Sequence, residues 1–153
     1  MRIGLTYNLK KDKAQAEPDG AGTPAEEYWD DSDAEYEDQA TIDALADALQ
    51  ACTQEPVVRL LCDPDLPGRL NAVPLDLIFN IAEGWGGRNR EAFAPSLFEI
   101  FGIPYTGSDG LTLSLTLNKV LTKKILLAEG IPTPEFFVVR DIGDLRDIPL
   151  PFP

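Results

Sequence analysis

The sequence contains one stretch, FNIAEGWGGRNREAF at residues 79–93, in which an acid, glycines and two arginines directly follow an apolar run. Glycines let backbone amides come close to a ligand, and guanidinium groups suit a carboxylate or a phosphate. The acid could orient an amine or pair with one of the arginines. The stretch therefore predicts a ligand-binding loop, and the alternative is a tight strand-to-helix turn with surface charges. The candidate residues are Glu83, Gly84, Gly86, Gly87, Arg88 and Arg90.

A second group of candidates is basic. Lys119 and Lys123 are one helical turn apart, and Lys124 lies beside them. Lysines at this spacing are typical of a solvated helix face, and a phosphate contact is the minority interpretation. Weaker candidates follow the first apolar run of the chain: Asn8, Lys10 and Lys11.

Three apolar segments, at 2–7, 57–62 and 75–81, are predicted to be the strands that position these residues. Segments that are apolar almost throughout are typical of parallel strands covered on both faces. We also predict a short extended piece at 104–106 and a strand at 136–139. Ligands of an open parallel sheet lie beyond the carboxyl ends of its strands, which is where the glycine-rich stretch begins.

The first predicted helix begins at an N-cap, Ser32 or Asp33, and ends near Cys52. Its apolar face carries residues at helical spacing, and acids before it would interact favourably with its positive end. Residues 63–68, with two prolines, are predicted to be a turn. The residues of the apolar face are Ile42, Leu45 and Leu49.

Two more helices are predicted, one at 93–101 that stops at Gly102 and one at 111–129 that stops before Pro132. Alternation of helices with apolar strands indicates an α/β fold. We therefore predict a Rossmann-like, doubly wound, mainly parallel sheet with flanking helices.

The charge of the chain is strongly uneven. The formal net charge of the 153 residues is −13, and 13 of the 26 acids lie between Ala14 and Val58, where no Lys or Arg occurs. This block is typical of a solvated loop and helix face, and an acidic docking surface or a metal site is the alternative. Residues 10–32 are interpreted as a long polar loop. General nucleic-acid binding is not expected, because it requires clustered positive charge.

The chain contains two cysteines and no histidine, which excludes a Cys/His zinc site. Cys52 and Cys62 are predicted to be reduced and mostly buried thiols. The N-terminal residues do not fit a secretory signal, and no apolar run approaches membrane-spanning length. We therefore expect a cytoplasmic protein with no membrane partner.

Two later motifs are GIPYTGSD at 102–109 and LNKVLTKKILLAEGIPTP at 117–134. Together with the apolar strand before the glycine turn, they resemble the D-alanine:D-alanine ligases of the ATP-grasp superfamily. That family carries a closely similar GIPYTGS, and a DK before a helix that ends in AGIPTP. The resemblance covers roughly residues 76–139 and implies a pre-ATP-grasp α/β domain.

The resemblance implies a parent enzyme in which ATP phosphorylates a carboxylate and an amine attacks the acyl phosphate. The N-terminal domain of such an enzyme supplies part of the amino-acid site and often a homodimer surface. By position Lys119 matches the family lysine that contacts ATP, and residues 84–87 match the glycine turn at the substrate site. The complete enzyme is expected to use ATP and Mg²⁺, and this chain alone to bind no cofactor.

The sequence also departs from the family pattern. Glu83 stands where the family has a His before its glycine turn, and a carboxylate there would repel a substrate carboxylate unless Arg88 or Arg90 compensates. The glycine-rich stretch after the first strand is absent, so that only Glu35 or Glu37 could replace the family's substrate-binding Glu. A ligase that joins other amino acids or small peptides fits these residues equally well.

We predict that residues 1–130 form a substrate domain, and that residues 131–153 are a linker and the start of an ATP-grasp domain whose remainder is missing. Phosphoryl transfer needs positioned cations and metal. The 153-residue chain alone is therefore expected to have no catalytic residue and to be inactive. The alternatives are a stand-alone, non-catalytic α/β binding or regulatory module and a dimerisation domain.

Overall fold

A three-stranded parallel sheet lies at the centre of the structure, a computed structural model that describes residues 1–10 and 36–147. The strands are β1 (Ile3–Tyr7), β2 (Val58–Leu61) and β3 (Leu77–Asn80). The helices are α1 (Gln39–Gln50), α2 (Leu66–Ala72), α3 (Phe93–Phe101), α4 (Gly110–Leu117) and α5 (Lys119–Ala128). Short 3-10 turns lie at Arg90–Ala92 and Ile142–Asp147.

β1 is the middle strand, and both of its neighbours run parallel to it. Leu5 is opposite Arg59 of β2 and Phe79 of β3. The bridge between Ile78 and Tyr105 confirms the extended piece predicted at 104–106. The three predicted strands are therefore confirmed, each within three residues at either end.

The sheet has helices on both faces, which confirms the doubly wound α/β prediction. On one face Leu5 packs with Ile42 and Ala46 of α1. On the other face Ile78 packs against a larger cluster from α2 and α3, in which Phe98 is fully buried. Burying apolar side chains on both faces provides most of the stabilisation of such a sheet.

The helix ends follow the chemistry of their capping residues. α1 begins after Asp38, whose carboxylate accepts a hydrogen bond from the Thr41 amide at 2.8 Å. The predicted N-caps, Ser32 and Asp33, lie outside the described residues, and the predicted start was wrong, because Asp38 caps the helix and Tyr36 and Glu37 before it are not helical. α3 ends, as predicted, at Gly102, which has a left-handed φ of 66°.

Two predicted elements differ from the structure. Residues 63–68 are not only a turn, because α2 begins at Leu66; Pro67 is tolerated in its first turn, where no helical partner for an N–H is lost. The predicted helix 111–129 is two helices, α4 and α5, separated at Asn118. That residue is extended (φ −91°, ψ 90°), and its side chain accepts from the Leu121 amide at 3.1 Å. It therefore caps a new helix although the apolar spacing continues past it.

Two further predictions were wrong. Residues 136–139 form no strand, because no described strand pairs with them. Cys52 is exposed just past the end of α1, whereas Cys62 is buried as predicted. Within the described ranges, no helix is both long and apolar enough to cross a membrane.

The capping carboxylates predict a dependence of stability on pH. Hydrogen bonds from the amides of Thr41 and Thr112 hold the pKa values of Asp38 and Asp109, the N-cap of α4, below their usual 3.8. Carboxylates with a lowered folded-state pKa stabilise the fold above the unfolded-state pKa, and this contribution is lost as the pH falls through the folded-state pKa. The variant Asp38→Asn/Asp109→Asn keeps both caps without the charge. We expect its urea midpoint to fall less on acidification than that of the original chain.

The control for this prediction is Asp47→Asn on the exposed surface of α1, which should leave the acid dependence unchanged. An equally steep acid loss in the double variant would assign the pH dependence to other carboxylates.

Candidate functional site

The glycine loop, residues 83–87, begins where β3 ends. Gly84, Gly86 and Gly87 have φ values of 74°, 52° and 78°, the left-handed conformation that favours glycine. A Cβ on Gly84 would lie 2.0 Å from the carbonyl oxygen of Arg90, whereas one on Gly86 or Gly87 would meet nothing within 4 Å. Gly84 is therefore required for space as well as for conformation.

Asn8 connects the ends of all three strands through one side chain, in a residue that is only 6% exposed. Its Nδ2 donates to the Cys62 carbonyl, just past β2, at 2.9 Å. Its Oδ1 accepts from the amides of Glu83 and Gly84, both at 2.9 Å. The Gly84 amide thus donates its hydrogen bond within the protein, and Asn8 anchors the glycine loop to the sheet.

Two residues before α1 reach the same edge of the sheet. The hydroxyl of Tyr36 donates to the Gly84 carbonyl at 2.9 Å. The Glu37 amide donates to the Asn8 carbonyl at 3.2 Å, and the Lys10 amide donates to the Glu37 carbonyl at 2.9 Å. Glu37 therefore lies next to the anchor of the glycine loop. Glu35 and Lys11 lie outside the described residues.

Three cations line one hollow of about 320 Å³, which we call the cation hollow. A second hollow of about 270 Å³ shares Arg88 and Asn118 with it. Guanidinium and ammonium groups around one hollow can donate several hydrogen bonds to a carboxylate or phosphate. The residues of the cation hollow are Arg88, Arg90, Leu117, Asn118, Lys119 and Val120.

The cations meet because α4 packs against the turn Arg90–Ala92. Gly110, the first residue of α4, is buried, and a Cβ on it would lie 2.8 Å from Ser96 Oγ, so that a larger residue would require the Ser96 side chain to rotate or α4 to shift. Asn118 then begins α5, which places Lys119 in the first turn of that helix. The ammonium of Lys119 donates to the Thr116 carbonyl at 3.0 Å. Sequence reasoning did not identify Gly110, whose only signal was a glycine after an Asp cap.

Other predicted residues do not reach the cation hollow. Glu83 is half-buried at the anchor and lines neither of the two hollows. Lys123 donates to Thr133 Oγ1 at 3.1 Å and to the Pro134 carbonyl at 3.0 Å, and its ammonium lies 5.3 Å from the centre of the Phe136 ring. Lys123 therefore holds the segment after α5. The structure brings Arg88, Arg90 and Lys119 together, and Glu83 is not among the residues that line the cation hollow.

The chemistry available at this edge is binding and orientation. Burial raises the pKa of the Cys62 thiol to about 12, and the nearby Asp63 carboxylate adds to this rise, so the thiol stays protonated and is a poor nucleophile. No group of three or more His, Cys, Asp or Glu side chains that could hold a metal ion occurs in residues 1–10 and 36–147. The arrangement can hold an anion and orient it.

Known proteins share part of this sequence. The chain is 36% identical over 108 residues to an uncharacterized protein, y4sG, of Sinorhizobium fredii, an alignment that covers 64% of the chain and 31% of that protein. It is 36% identical over 93 residues to a D-alanine–D-alanine ligase of Moorella thermoacetica, with 61% of the chain and 29% of the ligase covered. The chain thus spans about 30% of the length of these curated relatives. No protein-family model matches it.

The fold is similar to that of solved D-alanine–D-alanine ligases. The structure of the Bacillus anthracis enzyme complexed with ATP aligns with 95% of the chain and 44% of its own length. The TM-score is 0.52 at 19% sequence identity. At this identity the likeness establishes the α/β fold alone, and the resemblance in sequence rests on the curated relatives.

Proposed function

Because the chain is D-alanine–D-alanine ligase-like in sequence and in fold, we propose that it is the N-terminal substrate domain of an ATP-dependent ligase that joins amino acids or small peptides. The observation that carries the proposal is the cation hollow beyond the end of β3, at the start of α5. Parallel sheets bind ligands beyond the carboxyl ends of their strands. Arg88 and Arg90 would hold the substrate carboxylate, and Lys119 would contact the nucleotide.

The described residues include donors that suit the phosphate groups of ATP, the expected cofactor. Lys119 and the two arginines are donors suited to phosphate oxygens, so ATP could be contacted from this hollow. ATP would supply the phosphoryl group that activates the carboxylate. No carboxylate cluster for Mg²⁺ occurs in the described residues. Because the chain spans only about 30% of the length of its curated relatives, we assign metal binding and most of the nucleotide site to residues beyond this chain, with 131–153 as the connection.

The experiment is to clone the coding sequence past residue 153 and to assay the longer protein for ATP-dependent phosphate release with a panel of amino acids and dipeptides. Release with at least one of them is expected. A stop codon directly after residue 153, or no release with any member of the panel, would reject the ligase and favour a binding or regulatory module.

Arg88→Ala tests the substrate role in the longer protein. Arg88 makes no hydrogen bond or ion pair with another described residue, so its removal should cost little stability. A charged hydrogen bond to the substrate is worth about 1.5–3 kcal/mol, so we expect KM for the amino acid to rise about 10- to 100-fold with kcat nearly unchanged.

Two companion variants complete this prediction. Lys119→Ala should instead raise KM for ATP. Arg59→Ala, which removes an arginine paired with Asp43 on the surface, should change neither constant. An unchanged substrate KM in Arg88→Ala would remove that residue from the site.

A further inference from the structure

The peptide groups of Gly84 are held on two sides by residues that are distant in the sequence. Asn8 accepts from its amide and Tyr36 donates to its carbonyl, each at 2.9 Å. Tyr36 and Gly84 are 48 positions apart. We propose that Tyr36 is a positioning residue that fixes the glycine loop and, through it, the arginines of the cation hollow. The proposal rests on the proposed function in that these arginines bind the substrate.

Gly84 is coupled to the arginines by direct contact. Its α-carbon approaches the backbone of Arg90 so closely that no Cβ fits between them. The turn Arg90–Ala92 leads directly into α3, and Arg88 lies between this turn and the glycine loop. A shift of Gly84 therefore moves the backbone from which both guanidinium groups extend.

The two clamps on Gly84 differ in what they hold. Asn8 is buried and joins the loop to the ends of β1 and β2, so its loss should affect the whole fold. Tyr36 is half-buried, and its hydroxyl joins the loop to the residues that lead into α1. Removal of the hydroxyl deletes its hydrogen bond to the Gly84 carbonyl and keeps the aromatic ring. Tyr36→Phe therefore separates positioning from folding.

The first test uses the longer protein and a double-mutant cycle. If Tyr36 acts through the arginines, Tyr36→Phe should raise KM for the amino acid about three- to tenfold, the size expected for one hydrogen bond, with kcat nearly unchanged. The same change in an Arg88→Ala background should then have a smaller effect, because one of the two arginines through which Tyr36 acts is gone and coupled residues are not additive. Equal effects of Tyr36→Phe in both backgrounds would overturn the proposal.

The second test uses the 153-residue chain and does not depend on turnover. Trp85 follows Gly84 and packs against Phe93, with ring centroids 5.6 Å apart. With Trp29, the other tryptophan of the sequence, changed to Phe, acrylamide quenching reports on Trp85 alone. Tyr36→Phe should increase quenching under conditions where the chain is fully folded, and unchanged quenching would reject the clamp.

Tyr105→Phe is the matched control, because its hydroxyl donates to Glu99 and not to the glycine loop. It should leave both KM and Trp85 quenching unchanged.

The two tests together separate the positioning role from the proposed function. Increased quenching in Tyr36→Phe, without ligase activity in the longer protein, would retain the positioning role of Tyr36 and reject the proposed function. Ligase activity in the longer protein, with unchanged quenching in Tyr36→Phe, would retain the proposed function and reject the positioning role of Tyr36.

Discussion

Replacement of Gly84 by alanine should lower the free energy of unfolding by on the order of 3 kcal/mol or more. Two causes act together. A left-handed φ of 74° is unfavourable for a residue with a side chain, and the new methyl would lie 2.0 Å from a backbone oxygen, that of Arg90. Backbone atoms cannot rotate away as a flexible side chain can, so the turn before α3 must move.

Gly86→Ala provides the control for this prediction. Its φ is also positive, at 52°, but a Cβ there meets nothing within 4 Å. We expect only the conformational cost, about 1–2 kcal/mol. The comparison requires urea unfolding curves of both variants, monitored by circular dichroism. Equal losses would show that the close approach of Gly84 to Arg90 does not constrain the fold in solution.

Asn8→Ala should be comparably destabilising, by about 3–5 kcal/mol. The variant leaves the amides of Glu83 and Gly84 and the carbonyl of Cys62 without their partner in a buried place. A buried polar group without a partner costs more than an ordinary hydrogen bond contributes. Asn8→Asp should also be destabilising, because its buried carboxylate still accepts from both amides but places an oxygen against the carbonyl oxygen of Cys62.

Thermal or urea unfolding distinguishes these outcomes, with Asn71→Ala as the control. Asn71 is exposed on α2, and its replacement should change stability by less than about 0.5 kcal/mol. If Asn8→Ala were as mild as the control, water would have to reach the three polar groups.

The elements that sequence reasoning predicted correctly are those whose signal is local. The three strands are apolar runs, and α3 ends at a glycine that takes the left-handed conformation. The break at Asn118 was missed because a capping asparagine can start a new helix without interrupting the apolar spacing on which the prediction relied. A local pattern of this kind does not distinguish one helix from two.

The site was only partly predictable for a different reason. Asn8 lies 54 positions from Cys62 and 76 from Gly84, so its role depends on the parallel register of all three strands. No spacing within one segment contains that information. Glu83 is close to Arg88 in sequence, but its amide is fixed by Asn8 and it does not line the cation hollow. The packing of α4 on the turn before α3 determines that Arg88, Arg90 and Lys119 line the same hollow.

The central place of β1 has a consequence for biosynthesis. Both of its partners come much later in the chain, at Val58–Leu61 and Leu77–Asn80, and these two strands do not pair with each other. At ordinary rates of translation, about 5–20 residues per second, the ribosome needs roughly 4–15 s to add the residues that separate β1 from the end of β3. A nascent chain must therefore carry β1 with at least one unpaired edge through this interval, and chaperone binding to that strand would fall within it.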